Sequence, residues 1–283
     1  MSGRGVTLLF DLGGFWREWF ATLSQLDSQE RIINRIEFLA QTYDAIIVCA
    51  DSPASWRRDV TRELIDSGDL EAKQGYKSNR PKKAPEAVLA LQSTEDRLRK
   101  LGFPVVRCDG YEADDVIATL VHQAGDREIH ISSEDKDLYQ LISPTVTQLT
   151  RAGYMDADAC RRKFGVGPEL MGDLLAVVGD TADNIQGCDR VGAGKGATLL
   201  ETFGSIDGIK AATRDELTSI KGIGKSVAEA IEAWDPTLAR RLVALSTDCP
   251  VNLQALIAEY SAATVHEELE DEPFGGSDWR DAS

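Results

Sequence analysis

Apolar residues fall into short unbroken runs in the first half of the chain, and into helical spacing broken by glycines in the second. V-T-L-L-F at 6–10, A-I-I-V-C-A at 45–50, a shorter run at 105–108 and E-I-H-I at 128–131 predict four buried strands. Large apolar residues over 15–23, the amphipathic stretch 31–42 and a segment opening near Glu112 predict the helices between them. Strands alternating with helices predict an α/β fold with a parallel sheet, and strands apolar throughout predict one covered on both faces. From residue 156 to 263 strand signal nearly vanishes. There G-A-G-K-G-A-T at 192–198 matches G-I-G-K-S-V-A at 222–228, which predicts a duplicated helix–hairpin–helix unit. The expected organisation is an α/β domain at 1–155, a helical domain at 156–263 and a disordered acidic tail at 264–283.

At 283 residues, 42% hydrophobic and 28% charged, the composition is that of a soluble globular protein. No apolar run approaches the ~18–20 residues that span a bilayer, and the N-terminus has no secretory apolar core, so a membrane partner is not expected. Five scattered cysteines without a C-x-x-C pair suit a reducing cytoplasm and argue against disulfides or zinc. Three histidines leave little material for histidine chemistry. The net charge of −16 would argue against nucleic acid as a partner. It is concentrated, however. Residues 267–283 hold seven acids and one arginine, and nine further carboxylates sit in motifs, leaving the rest of the chain close to neutral.

Those nine are Asp11, Asp51, Glu112, Asp114, Asp115, Asp135, Asp137, Asp180 and Asp183. Asp11 and Asp51 follow apolar strands, where open parallel sheets bind ligands. Glu112, Asp114 and Asp115 open an otherwise apolar helix, and three acids so close repel one another unless cations offset them. Asp135 with Asp137 follows the fourth strand, and Asp180 with Asp183 follows the apolar run 174–178. Each pair alone can be a turn or a helix cap. Together they form an oxygen-only donor set that selects Mg²⁺ or Mn²⁺, with more carboxylates than one ion needs, as in two-metal phosphodiester hydrolysis. Between the second and third strands, Lys73, Lys77, Arg80, Lys82 and Lys83 form a basic, proline-punctuated run.

These segments, in chain order, resemble the 5′-nucleases that include bacteriophage flap endonucleases and the N-terminal domain of bacterial DNA polymerase I. The resemblance covers about residues 6–255. It rests on L-L-F-D at Asp11, the strand before Asp51, Y-K-S-N-R-P at 76–81, G-Y-E-A-D-D-V-I-A-T-L, S-S-E-D-K-D-L-Y-Q-L, G-D-T-A-D-N-I-Q-G leading into V-G-A-G-K-G-A, and L-S-T-D-C-P-V at 245–251. It implies a PIN-like α/β domain with a helical arch at about 73–104 and a helix–hairpin–helix DNA-binding domain that also supplies metal-site carboxylates. Asp11, Asp51, Glu112 and Asp114 would serve a first metal, and Asp115, Asp135, Asp137, Asp180 and Asp183 a second. Lys77 and Arg80 would act at the scissile phosphate. Tyr76, Lys82, Lys83, Gly192, Gly194, Lys195 and Gly196 would contact DNA, with K⁺ at the hairpin. The implied activity is two-metal 5′-3′ exonuclease and flap endonuclease cleavage of branched or 5′-ended DNA, RNA primers included, leaving a 5′-phosphate. Four positions depart from the family pattern: Leu12 for a glycine, Glu134 for a glycine, Gln186 for a proline and Lys195 for an acid. About a dozen residues are added before Tyr76.

A catalytically inactive DNA-binding protein of the same fold is the alternative. A P-loop NTPase fails because Ser219 stands where the first Walker glycine is required, and a small PIN-type ribonuclease would leave the arch-like segment and helical half unexplained. No polymerase-like segment follows, so a stand-alone nuclease is expected, and the resemblance implies a monomer. Phe274 and Trp279 in the acidic tail are a candidate docking motif for a replication partner.

Overall fold

The computed structural model describes residues 5–22 and 24–262, so the acidic tail lies outside the described residues. Strand β1 (Val6–Asp11) runs into helix α1 (Leu12–Thr22) and is followed by α2 (Gln25–Ala40) and β2 (Ala45–Cys49). Then come α3 (Trp56–Ser67), α4 (Pro85–Lys100), β3 (Val105–Val106), α5 (Ala113–Gln123) and β4 (Glu128–Ser132). Helix α2 starts six residues before the expected stretch because Ser24 caps it, its Oγ accepting from the Asp27 N–H at 3.2 Å. Its first turns are polar and show no apolar spacing.

The sheet has six strands in the order β3-β2-β1-β4-β5-β6, two more than the apolar runs predicted. β5 (Val146–Thr150) extends it in parallel, and β6 (Gly153–Met155) returns antiparallel. One face buries Leu8, Phe10, Ile46 and Val48 against α1, α2 and α4, and the other buries Leu9, Ile47, Ile129 and Ile131 against α5. Burial on both faces is what the wholly apolar strands require. The register pairs Asp11 with Cys49 and Phe10 with Ser132, so the carboxyl ends of β1, β2 and β4 are level and carry Asp11, Asp51 and Asp135 to one edge.

Of the segment 73–104 expected to form a helical arch, residues 73–84 are a 3₁₀ turn, a tight turn and an extended stretch, and the rest is mostly helix α4. Helix α4 is not free-standing. Ala87, Ala90, Leu91 and Leu98 are buried, Gln29 donates to the Ala90 carbonyl at 2.8 Å, and Glu30 pairs with Arg97. Its apolar face leaves it no choice but to lie on α2 and the sheet.

The second half folds as α6 (Ala157–Phe164), α7 (Met171–Val178), a small hairpin of β7 (Gly179–Asp180) and β8 (Ile185–Gln186), and α8 (Ala193–Phe203). It continues through α9 (Ile206–Ala211), α10 (Arg214–Ser219), α11 (Lys225–Ala233), α12 (Thr237–Val243) and α13 (Leu253–Ala262). The glycine repeat falls at the starts of α8 and α11. Residues 245–251 are irregular. α13 does not close the helical unit. It packs on β2 and buries Leu253 and Tyr260 in the two cores flanking the sheet. The helical core in turn takes in Val60 and Tyr76 from the first half. Among the described residues no helix is long and apolar enough to cross a membrane.

Candidate metal centre

Asp11 ends β1 and is buried. Its Oδ1 accepts from the Gly14 N–H at 3.0 Å and its Oδ2 from Ser133 Oγ at 2.7 Å. Burial, then these two donors working against it, then the charges of Asp51 and Asp135, leave its pKa raised to about 6. A Cβ at Gly13 would stand 2.8 Å from Asp51 Oδ2, and one at Gly14 would collide with Asp11 Oδ2. The glycines at 13 and 14 therefore give the two carboxylates room, while Leu12 is a fully buried core residue. That accounts for the missing glycine after Asp11.

Asp51 accepts from the Ala113 N–H at 3.1 Å. Burial works against its charge, but that donor and the charges of Lys83, Arg17 and Lys77 outweigh it and hold its pKa low. Asp114 is pushed well up by burial and then by Asp135, Asp11, Asp51 and Glu112. Asp137 is pushed up to about 8 by burial, then Asp135 and Asp183, with Lys136 opposing and Asp180 adding. The charges that act on one another fall into two overlapping groups, Asp11, Asp51, Glu112 and Asp114 in one and Asp137, Asp180 and Asp183 in the other, with Asp135 acting on both.

Side-chain cations hold these groups. Lys77 Nζ lies 2.8 Å from Glu112 Oε1 and 3.6 Å from Asp183 Oδ2, Arg80 pairs with Asp183, and Lys136 Nζ lies 2.7 Å from Asp180. With those cations in place no three acids stand close enough to cage an ion among the described residues. The donor set nevertheless fits a hard divalent cation. It is all oxygen, it is buried and mutually repelling, and Asp137 Oδ1 is buried without a hydrogen-bond partner.

Three expected roles are corrected. Asp115 is not available to a metal. It is wholly buried, with Arg57 NH1 and NH2 at 2.8 and 2.9 Å, and it accepts from Trp56 Nε1 and from the backbone N–H groups of Glu112 and Ser246. Tyr76 does not face DNA. Its buried hydroxyl lies 2.8 Å from Glu112 Oε2 and 3.0 Å from Asp183 Oδ2, and burial followed by those two charges raises its pKa. Gly196 is buried in α8, where a Cβ would come within 3.1 Å of Leu174 Cδ1, so it serves helix packing rather than phosphate. Glu134, which stands in place of the family's glycine, accepts from the Arg151 N–H at 2.7 Å.

Gly192 and Gly194 are exposed with open space where a Cβ would stand, and Gly192 caps the start of α8 without a side-chain hydrogen bond. Lys195 ties back to the Arg190 carbonyl at 2.9 Å. Lys82 and Lys83 are exposed, Lys83 close enough to Asp51 for their charges to interact.

Sequence reasoning missed Arg57 and Arg17. Arg57 binds Asp115 and Glu112 and also donates to the carbonyls of Leu242 at 2.8 Å and Ala244 at 2.6 Å, clamping the end of α12 onto the acidic start of α5. Its partners lie 55–187 residues away, beyond any local pattern. Arg17 lies one turn along α1 on the Gly13 carbonyl, and its pKa is raised, against its own desolvation, by Asp51, Asp11, Asp135 and Asp114. Its spacing after Asp11 was the available signal. Arg57→Ala strands a buried carboxylate and is expected to cost about 3–5 kcal/mol in denaturant unfolding. A cost below about 1 kcal/mol would rule out the clamp.

Comparison with known proteins identifies the family and the fold. Residues 30–165 match the 5′-3′ exonuclease N-terminal resolvase-like domain, and 166–266 the 5′-3′ exonuclease C-terminal SAM fold. The chain belongs to the 5′-3′ exonuclease family. It is 30% identical over 225 residues to a 5′-3′ exonuclease of Buchnera aphidicola, covering 77% of this chain and 71% of that protein. It is 35% identical over 188 residues to DNA polymerase I of Pseudomonas aeruginosa, covering 63% of this chain but only 20% of the polymerase. Its fold matches the phage T5 flap endonuclease, seen in a pseudo-enzyme–product complex with DNA and metal ions, with a TM-score of 0.64, 20% identity and 93% and 94% of the two chains covered.

Proposed function

We propose that this protein is a divalent-metal-dependent 5′-nuclease that cleaves 5′-ended and flapped DNA, exonucleolytically and at the branch, leaving a 5′-phosphate. The observation that carries this is the pair of overlapping carboxylate groups sharing Asp135, with Lys77 and Arg80 directed into them. Asp11, Asp51, Glu112 and Asp114 would hold one Mg²⁺ or Mn²⁺, and Asp135, Asp137, Asp180 and Asp183 a second. Bound there, the ions would supply Lewis acidity and an activated water for in-line displacement at phosphorus. The chain's own residues do the rest. Lys77 and Arg80, released from Glu112 and Asp183, would meet the charge developing on the phosphoryl oxygens. The exposed backbone at Gly192 and Gly194, with K⁺ as the family resemblance implies, would hold the duplex by its phosphates without reading sequence.

Cleavage of a 5′-end-labelled flap duplex tests this in Mg²⁺, in EDTA and with Asp135→Ala. Cuts near the junction that need metal and vanish in the variant are expected. Tight binding without cutting in Mg²⁺ or Mn²⁺ would leave a structure-specific binding protein instead. Affinity is expected to fall steeply as salt is raised, because phosphate contacts release counterions, and a flat response in a filter-binding titration would contradict this mode of binding.

A further inference from the structure

Lys77 adopts φ 53°, a left-handed conformation that costs a lysine of the order of 1 kcal/mol or more and persists only where its surroundings over-determine it. The turn around it is laced to a second turn more than a hundred residues away. The Lys77 N–H donates to the Asp183 carbonyl at 2.9 Å, Asn79 Nδ2 to Thr181 at 2.7 Å, and Arg80 Nε to Ala182 at 2.9 Å. One side chain stands at the centre. Asn184 Nδ2 lies 2.9 Å from the carbonyls of Lys73 and Gly75 and 3.0 Å from Ser78 Oγ, holding both sides of Lys77.

We propose that Asn184 is a positioning residue for the reaction, fixing Lys77 relative to Asp180 and Asp183. The residue type follows from two demands. Asn184 itself has φ 59°, which asparagine tolerates better than most residues, and the acceptors around it require an N–H₂ group at short reach. Aspartate offers no donor, glutamine is too long, and glycine keeps the backbone but deletes the stitch. The two turns carry both the basic groups and two of the carboxylates, so their mutual position sets how Lys77 approaches a phosphate held at those carboxylates. The inference rests on the nuclease reading for its consequence, but the stitch is a property of the free protein.

The test is a double-mutant cycle of Asn184→Gly and Lys77→Ala, read as single-turnover cleavage of the flap duplex in Mg²⁺. Asn184→Gly is expected to slow cleavage by ~10- to 100-fold with DNA affinity little changed, the cost of a small misplacement. In the Lys77→Ala background it should add less than about threefold, because a residue acting through Lys77 has nothing left to act on. Multiplying losses, or wild-type rates in Asn184→Gly, would overturn the proposal. Hydrogen exchange at the Lys77 amide provides a readout that needs no cleavage. Protection lost in Asn184→Gly supports the stitch, and protection retained overturns it. A wild-type protein that does not cut would refute the nuclease reading and with it the role in the reaction, while the exchange result would still decide whether Asn184 stitches the two turns.

Discussion

Asp137→Asn is expected to lower flap cleavage on the order of 10³-fold and yet to raise the melting temperature of the metal-free protein at pH 8. The loss follows from removing a carboxylate of the second metal region. The gain follows from burial, which together with Asp135, Asp183 and Asp180 pushes the Asp137 carboxyl up to about 8. A carboxyl whose folded pKa lies above its ordinary value binds more protons folded than unfolded. Its contribution to stability is therefore full below about pH 4 and is lost as pH rises through the folded pKa. Asp11, raised to about 6, acts in the same sense over a lower window. The protein in EDTA should thus melt lower at pH 8 than at pH 5, by the order of 3 kcal/mol or ~10 °C. Mg²⁺ should reverse the trend at pH 8, and Asp137→Asn should flatten it. Calorimetry at the two pH values with and without metal measures all of this. A variant that melts below wild type in EDTA, or that cleaves normally, would sink the assignment.

Local signals carried most of the acids. Eight of the nine expected carboxylates act on one another's charge or pair with Lys77, Arg80 or Lys136, and each stands in a short motif after a strand or, for Asp180 and Asp183, after α7. Asp115 was misread for a reason no local pattern contains. Whether a carboxylate at the start of α5 faces metal or arginine depends on Arg57, and Arg57 is held by carbonyls at the far end of the chain. Tyr76 is a similar case, since an aromatic beside two cations looks exposed until Glu112 and Asp183 close over it.

Strands were legible where burial is two-sided. β5 was not, because it alternates, and its buried Gln148 donates through Nε2 to the carbonyls of Ser133 and Asp135 rather than being excluded by polarity. The expected arch took in α4, whose many charges gave no sign that Ala87, Ala90, Leu91 and Leu98 pack inward and that Glu95 is buried with them. The glycine repeat placed two helix starts correctly but could not tell Gly194, with open space above it, from Gly196, packed against α7.

Lys77→Ala is expected to slow single-turnover cleavage by about 10²–10³-fold while changing DNA affinity by less than about threefold. Its ammonium is only slightly exposed, lies 4.7 Å from the centre of the Tyr76 ring and is aimed at Glu112 and Asp183 rather than at solvent. A lysine so placed contributes little to the diffuse attraction that governs duplex binding. Its charge acts where the acids converge, and its benefit grows as a phosphoryl group gathers negative charge in a site shielded from water. Exposed Lys82 provides the contrast: Lys82→Ala should weaken binding modestly and flatten its salt dependence, leaving the rate at saturating enzyme nearly unchanged. The two variants therefore move different observables. If Lys77→Ala lost affinity and rate in equal measure, Lys77 would be a binding lysine like its neighbour, and the geometry at Glu112 would be only the resting place of a DNA contact.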